Sequence, residues 1–388
     1  MKRIVVIGAG PIGIETALYA QELGYNPILI EKNDLASNLL KCKHITFFSP
    51  FYMNSSELGI KLVNPDINLQ DYCKIEDYIN KYLKPISEKI NNKLFNTKVI
   101  SISKKNTLKN ELIGSQKRAE IPFILHLRDK EKDFYLESDI VIDCSGTYDN
   151  PLNFGLGGLK ILNQDKVENK INHYIPDIRG LDKDRYINKS ILLIGTGYSA
   201  ATSANLIYEI IKDYPNTKLF WISRSIENNP YKIIENDILE LRNILIQDTN
   251  KIISENNKNI HFFSNSYIEN IELEGNKLKV FFNHNKESKK IIIDEIISNV
   301  GYKPDNKIYE ELQIHECYAT HGIMKLSASL LSQTSTDCLN QVSSDLDTLK
   351  NPEPNFFIIG NKSYGRNSNF ILKIGYEQIK DVFKIISE

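Results

Sequence analysis

The chain is poor in the residues that build covalent or metal frameworks. Its 388 residues hold five cysteines, three methionines and one tryptophan. Cys42, Cys73, Cys144, Cys317 and Cys338 are odd in number, widely scattered and nowhere spaced C-x-x-C. That pattern excludes a disulfide scaffold and a zinc ribbon, and it points to a reducing, cytoplasmic setting. Neither sign of charge dominates: 48 Lys+Arg stand against 49 Asp+Glu, a net charge of −1. No global field draws a polyanion, so neither nucleic acid nor an anionic membrane is an expected partner. No apolar run approaches the roughly 18–20 residues of a membrane-spanning helix. The charge runs Arg128–Lys132 and Lys286–Lys290 lie between strand-like segments and read as solvated turns. The opening "MKRIVVIGAG" imitates a secretory leader, but its apolar run is only a strand long and enters a glycine turn. It reads as a buried first strand.

What is present is punctuation. A β-branched run at Arg3–Ile7 meets Gly8-Ala9-Gly10-Pro11-Ile12-Gly13, then a helix-like stretch to Leu23, then a second strand within Asn26–Asn33. This is G-x-G-x-x-G between strand and helix, with Glu31 at the end of the second strand. Gly8 allows the turn, Gly10 lets backbone approach a pyrophosphate, and Gly13 lets helix pack on strand. The Glu31 carboxylate suits ribose hydroxyls. The pattern restarts at Lys189: strand Ser190–Ile194, Gly195-Thr196-Gly197-Tyr198-Ser199-Ala200, a helix to about Tyr214 and a strand at Lys218–Ile222. Here the second strand runs into Ser223-Arg224-Ser225 with no acid. A guanidinium flanked by hydroxyls suits a 2′-phosphate, which favours NADPH over NADH. Two dinucleotide loops in one chain are explained economically by a tightly held flavin dinucleotide and the nicotinamide that reduces it.

Between these units the sequence predicts a helix over Asp71–Ile90 and strands at Lys98–Ser103, Ile121–Leu127 and Phe134–Ile142. After the second loop it predicts strands at Ile260–Phe263, Ile268–Glu274 and Leu278–Phe282, a late strand in Asn355–Asn361 and a last helix over Asn369–Ile386. "DIVIDCSGTYDNP" (Asp139–Pro151) is echoed by "DEIISNVGYKPD" (Asp294–Asp305), which includes Gly301, so the two halves share one plan.

These motifs resemble the two-dinucleotide-binding-domain flavoproteins, the superfamily of thioredoxin-reductase-like and flavin-containing monooxygenase-like enzymes. The resemblance implies an α/β fold with two Rossmann-like, three-layer domains, the NADPH domain inserted into the FAD domain. The implied divisions are residues 1–152 and 306–388 for FAD and 153–305 for NAD(P)H. Implied FAD contacts are Gly8, Gly10, Pro11, Ile12, Gly13, Glu31, Lys32, Val99, Ser145, Gly146, Gly360, Asn361 and Phe370. Asn361 replaces the family's acid. Implied NADPH contacts are Gly195, Gly197, Tyr198, Ser199, Ala200, Ser223, Arg224 and Ser225, and Gly301 is a further implied cofactor contact.

The activity expected is an FAD-dependent oxidoreductase reduced by NADPH, a monooxygenase acting on a small nucleophilic substrate through a C4a-hydroperoxyflavin. Against that branch, Asp177–Gly197 lacks the F-x-G-x-x-x-H-x-x-x-Y/F fingerprint. The alternatives are a reductase passing electrons to a quinone, disulfide or protein, and a non-enzymatic redox sensor. The segments Lys43–Asn54 and Asn361–Phe370 are expected at the flavin edge. There Arg366 or Lys362 would hold an anion and His44 or Tyr364 would carry a proton. Cys144 reads as core, a homodimer is an open expectation, and no metal site is suggested by spacing.

Overall fold

The computed structural model describes residues 2–255, 257–333, 339 and 345–388, so Cys338 lies outside the described residues. In chain order the first half contains β1 (Ile4–Ile7), α1 (Pro11–Glu22), β2 (Pro27–Ile30), β3 (Asn92–Leu94), β4 (Lys98–Lys104), β5 (Phe123–Arg128), β6 (Asp133–Ser138) and β7 (Ile140–Asp143). Next come β8 (Ile171–Asn172), β9 (Ser190–Ile194), α2 (Tyr198–Asp213), β10 (Lys218–Ile222), α3 (Glu240–Ser254) and β11 (Ile260–Phe263). They are followed by β12 (Ser266–Glu274), β13 (Lys277–His284), β14 (Glu287–Ile293), β15 (Glu295–Ser298), β16 (Phe356–Ile358) and α4 (Leu372–Ser387). The chain forms two compact units, Met1–Leu40 with Pro50–Asn150 and Tyr302–Glu388, and Lys41–Ser49 with Pro151–Gly301.

The first unit is built on a parallel sheet of order β16-β7-β1-β2-β3. Every residue of β1 is buried, as a strand covered on both faces requires. Pro11 occupies the first turn of α1, where its missing N–H costs nothing. The helix then buries Ile12, Ile14, Ala17 and Leu18. Helix α4 packs beside it, with the Tyr19 and Phe383 rings 5.4 Å apart.

Two sequence expectations are corrected in this unit. The single strand expected over Phe134–Ile142 is two strands in different sheets: β6 pairs antiparallel with β5, and β7 pairs parallel with β1 and β16. The break falls at Asp139, whose carboxylate accepts from Arg3 N at 2.7 Å while its own N–H donates to Arg3 O. The helix expected from Asp71 begins at Ile75 and contains a π turn at Ile79–Leu83. Pro85 follows that turn, and a proline lacks the N–H that would keep the regular ladder.

The second unit repeats the design with a parallel sheet of order β11-β10-β9-β15-β8. Ile191 and Leu193 join the apolar cluster that includes α2 and Trp221, while Leu192 and Ile194 join the cluster that includes the antiparallel sheet β12-β13-β14. This alternation is the period of a strand buried on both faces. Lys286–Lys290, expected as a turn, is mostly strand. Asn285 and Lys286 alone make the turn, at φ 51° and 71°, and β14 pairs with β13 from Glu287 onward. Two consecutive residues at positive φ form the tight hairpin connection that matches strand twist. No helix of the described residues is long and apolar enough to cross a membrane.

Candidate functional site

The first loop is shaped by backbone contacts. Gly8 adopts φ +100°, and a Cβ on Gly13 would lie 1.7 Å from Gly8 O, so only hydrogen fits where α1 crosses the turn. Gly10 differs: a Cβ there meets nothing within 4 Å. No side chain caps α1. Its leading N–H groups and the positive end of its dipole are therefore left for an anion beside an open cradle. Glu31 is fixed by that loop, its Oε2 accepting from Ala9 N at 2.8 Å and its Oε1 from Asn33 N at 2.9 Å. Each carboxylate oxygen keeps a further lone pair for a ribose hydroxyl. Lys32 pairs with Asp149 at 2.8 Å, and Val99 is buried in β4 beside a bulge.

The turns after β7 and β16 are bound to one another. Lys362 Nζ donates to Asp143 Oδ2 at 2.6 Å and to Ser145 Oγ at 3.1 Å, and both charged side chains are fully buried. Asp143 Oδ1 accepts from Ser145 N at 2.9 Å. Asn361 Nδ2 donates to Thr147 Oγ1 at 2.7 Å, and Gly360 N, at φ +74°, donates to Gln378 Oε1 at 2.8 Å. Lys362 is therefore a fastener and not a holder of substrate, which corrects the expectation from sequence. Gly146, at φ +69°, has open space where a Cβ would be.

Of the residues expected to carry chemistry, Tyr364 and Arg366 lie in the first unit and His44 in the second. Tyr364 is buried edge-on to Phe370, with ring centroids 5.4 Å apart, and burial pushes its phenol up to about 12. That is a poor pKa for proton traffic near neutrality. Arg366 is exposed, and its Nη2 lies 3.3 Å from Nε2 of His321, a residue the sequence analysis did not single out. His44 Nε2 is buried and finds no hydrogen-bond partner among the described residues. Burial pushes the thiols of Cys42, Cys73 and Cys144 up, Cys73 to about 11, which suppresses thiolate chemistry there. Hydrogen bonds led by Thr320 draw the Cys317 thiol down.

The second loop copies the first. Gly195 sits at φ +116° with its would-be Cβ 2.3 Å from Asn299 O, whereas Gly197 opens on space with nothing within 4 Å. No side chain caps α2. Tyr198 and Ser199 are exposed and Ala200 is buried. Trp221 Nε1 donates to Gly195 O at 2.7 Å and Ser203 Oγ to Asn299 Oδ1 at 2.7 Å, supports that the motif alone did not reveal. Beyond β10 the three expected residues separate. Ser223 is buried and its Oγ accepts from Ser225 N at 3.0 Å, Ser225 Oγ accepts from Glu227 N at 3.2 Å, and Arg224 is exposed. Gly301, at φ +93°, accepts from Leu152 N at 2.9 Å through its carbonyl. Both units thus offer what a dinucleotide pyrophosphate needs, an uncapped helix start beside a glycine that leaves room.

A family model described as pyridine nucleotide-disulphide oxidoreductase matches residues 2–324. No curated protein matches the sequence. Among solved structures, the bacillithiol disulfide reductase of Bacillus cereus is similar at a TM-score of 0.71 and 17% identity, over 99% of this chain and 98% of that one. The thioredoxin reductase of T. acidophilum is similar at 0.62 and 14%, over 100% of both chains. The ornithine N-hydroxylase of Kutzneria sp. 744 is similar at 0.68 and 11%, over 100% of this chain and 99% of that one. At these identities the likeness is one of fold.

Proposed function

The chain belongs to the pyridine nucleotide-disulphide oxidoreductase family and is a FAD- and NAD(P)H-dependent oxidoreductase, and from that premise we propose that it is a reductase passing electrons from NADPH to a quinone, a disulfide or a redox protein. Bound FAD supplies the two-electron chemistry between hydride donor and acceptor. The observation that carries the two-cofactor part of the reading is the pair of open glycine cradles, Gly10 beside Glu31 in one unit and Gly197 in the unit that presents Arg224. Uncapped N–H groups at the start of α1 hold the FAD pyrophosphate, Glu31 accepts from its ribose, and the backbone at Val99 meets the adenine. Ser145–Gly146 and Gly360–Asn361, fastened by Lys362, line the remainder of that cofactor. Residues Gly195–Ala200 hold the NADPH pyrophosphate, and Arg224 holds its 2′-phosphate.

The reductase reading also draws on full-length likeness to disulfide reductases. No two cysteines are spaced C-x-x-C, and burial pushes the thiols of Cys42, Cys73 and Cys144 up, so the reading has the acceptor reduced directly and not through a protein dithiol. A monooxygenase is the second reading, favoured by the likeness to an ornithine N-hydroxylase. Stopped-flow absorbance separates the two. The protein is reduced with NADPH under argon and then mixed either with a quinone or disulfide, or with oxygenated buffer. Fast reoxidation by an acceptor supports the reductase. Sluggish reoxidation by acceptors, with an oxygen-dependent lag before the oxidised spectrum returns, transfers the assignment to the monooxygenase.

A further inference from the structure

The segment 317–322 and residues Gly365–Arg366 are joined backbone to backbone. Arg366 N donates to Thr320 O at 2.8 Å, and a Cβ on Gly365 would lie 2.2 Å from that same oxygen. His321 sits in this seam at φ +60°, the left-handed region that residues with a Cβ seldom adopt. It is held there from both sides: its N–H donates to Cys317 O at 2.8 Å, and its carbonyl accepts from Asn306 Nδ2 at 3.1 Å. The result is visible at the ring, where Nε2 meets Arg366 Nη2 at 3.3 Å. A guanidinium only donates, so Nε2 is the acceptor and the imidazole proton resides on Nδ1.

We propose that Arg366 and His321 form an anion-gated proton donor for the acceptor substrate, which is accordingly an anion or yields one on reduction. The proposal rests on the reductase reading. An incoming negative charge takes the Arg366 guanidinium, and Nε2 of His321 is released to accept a proton from solvent. The imidazolium then gives its Nδ1 proton to the reduced acceptor. For a disulfide the sum is NADPH + H⁺ + RSSR → NADP⁺ + 2 RSH. The S–S bond takes the two electrons of the hydride, one sulfur receives the hydride's proton equivalent, and the other receives the proton from His321. Without the anion, burial and then Arg366 draw the pKa of His321 below its ordinary value; Lys303 adds to this and Glu316 opposes it. The neutral imidazole is thereby favoured, and an anion that draws off the guanidinium favours proton uptake at Nε2.

The test uses holoenzyme carrying ¹³C-labelled histidine, with inorganic sulfate as the anion probe and His321→Gln to assign the signal. Sulfate is expected to raise the His321 titration midpoint by about one pH unit in the wild type and to leave it unmoved in Arg366→Gln. In turnover, Arg366→Gln raises KM for the dianionic disulfide of thionitrobenzoate about tenfold, whereas KM for hydroxyethyl disulfide, which carries no charge for the guanidinium to bind, does not rise. His321→Gln lowers kcat for both and removes the ionisation of His321 from the pH profile. A wild-type midpoint indifferent to sulfate, or a shift that survives Arg366→Gln, overturns the proposal. Failure of both disulfides with NADPH-reduced enzyme counts against the reductase reading, and the NMR titration then decides the pair without it.

Discussion

Lys362 shows how a side chain's role depends on where its charge ends. In sequence it lies four residues from Arg366 in a polar loop and reads as a ligand holder; in the structure it is sealed against Asp143 at 2.6 Å. Charges removed from water tolerate such burial only when paired, and breaking one partner leaves the other uncompensated. Lys362→Met is therefore expected to cost about 3–5 kcal/mol in urea unfolding. Replacing Asp143 by Leu in the same chain should return most of that loss, because the orphaned carboxylate is gone. Arg224 makes the opposite case. It is exposed, and the neighbouring hydroxyls of Ser223 and Ser225 accept from backbone N–H groups. Each serine hydroxyl keeps its own proton to donate, and on the proposed reading the guanidinium supplies the charge that recognises the 2′-phosphate. Arg224→Gln should weaken NADPH about tenfold or more, as loss of a charge-assisted contact does, and leave NADH unchanged in steady-state KM. Equal losses for both nucleotides would remove Arg224 from that role.

At the scale of elements, helix α1 is anchored by a buried acid as well as by its glycines. Glu15 accepts from Ser56 Oγ at 2.6 Å and from the Tyr82 hydroxyl. Burial outweighs these hydrogen bonds and raises its pKa in the folded protein. A group raised on folding contributes stability that is fully present below its unfolded pKa, near 4.5, and lost as pH rises through the folded value. Wild-type stability relative to Glu15→Gln, compared at about pH 4 and about pH 7, should therefore be lower at the higher pH. Urea midpoints at the two pH values measure it, and a constant difference would mean that Glu15 titrates as it does unfolded. The elements themselves were legible where glycine, proline and apolar runs punctuate them, as from Ile4 to Ile30 and from Ser190 to Ile222. Sequence alone missed the break at Asp139, because nothing local announces that Arg3 will take both the carboxylate and the backbone N–H of a residue 136 positions away. It missed β14 because charge masks alternation on a strand with an exposed face.

For the molecule as a whole, the repeated plan makes a prediction that neither half makes alone. In each unit at least one motif glycine is required by the fold, and another meets nothing in the protein and leaves room for a ligand. A Cβ on Gly13 or Gly195 would collide with backbone at 1.7 Å and 2.3 Å, whereas Gly10 and Gly197 face nothing within 4 Å. Both latter residues have extended φ near −80°, which any residue adopts. Gly10 and Gly197 are the N-caps of their helices, so valine at either position should cost the ligand-free protein about 1 kcal/mol in thermal unfolding, the loss of a favourable cap without a steric clash. The functional losses should differ. Gly10→Val fills the FAD cradle, so the protein should purify colourless and still bind NADPH, measured by calorimetry. Gly197→Val should purify yellow, resist reduction by NADPH under argon, and accept electrons from dithionite as before. The asymmetry follows from one backbone device used twice, with Glu31 beside one copy and Arg224 beside the other. If Gly197→Val lost flavin, or Gly10→Val lost NADPH binding, the assignment of one dinucleotide to each loop would fall while the fold stood.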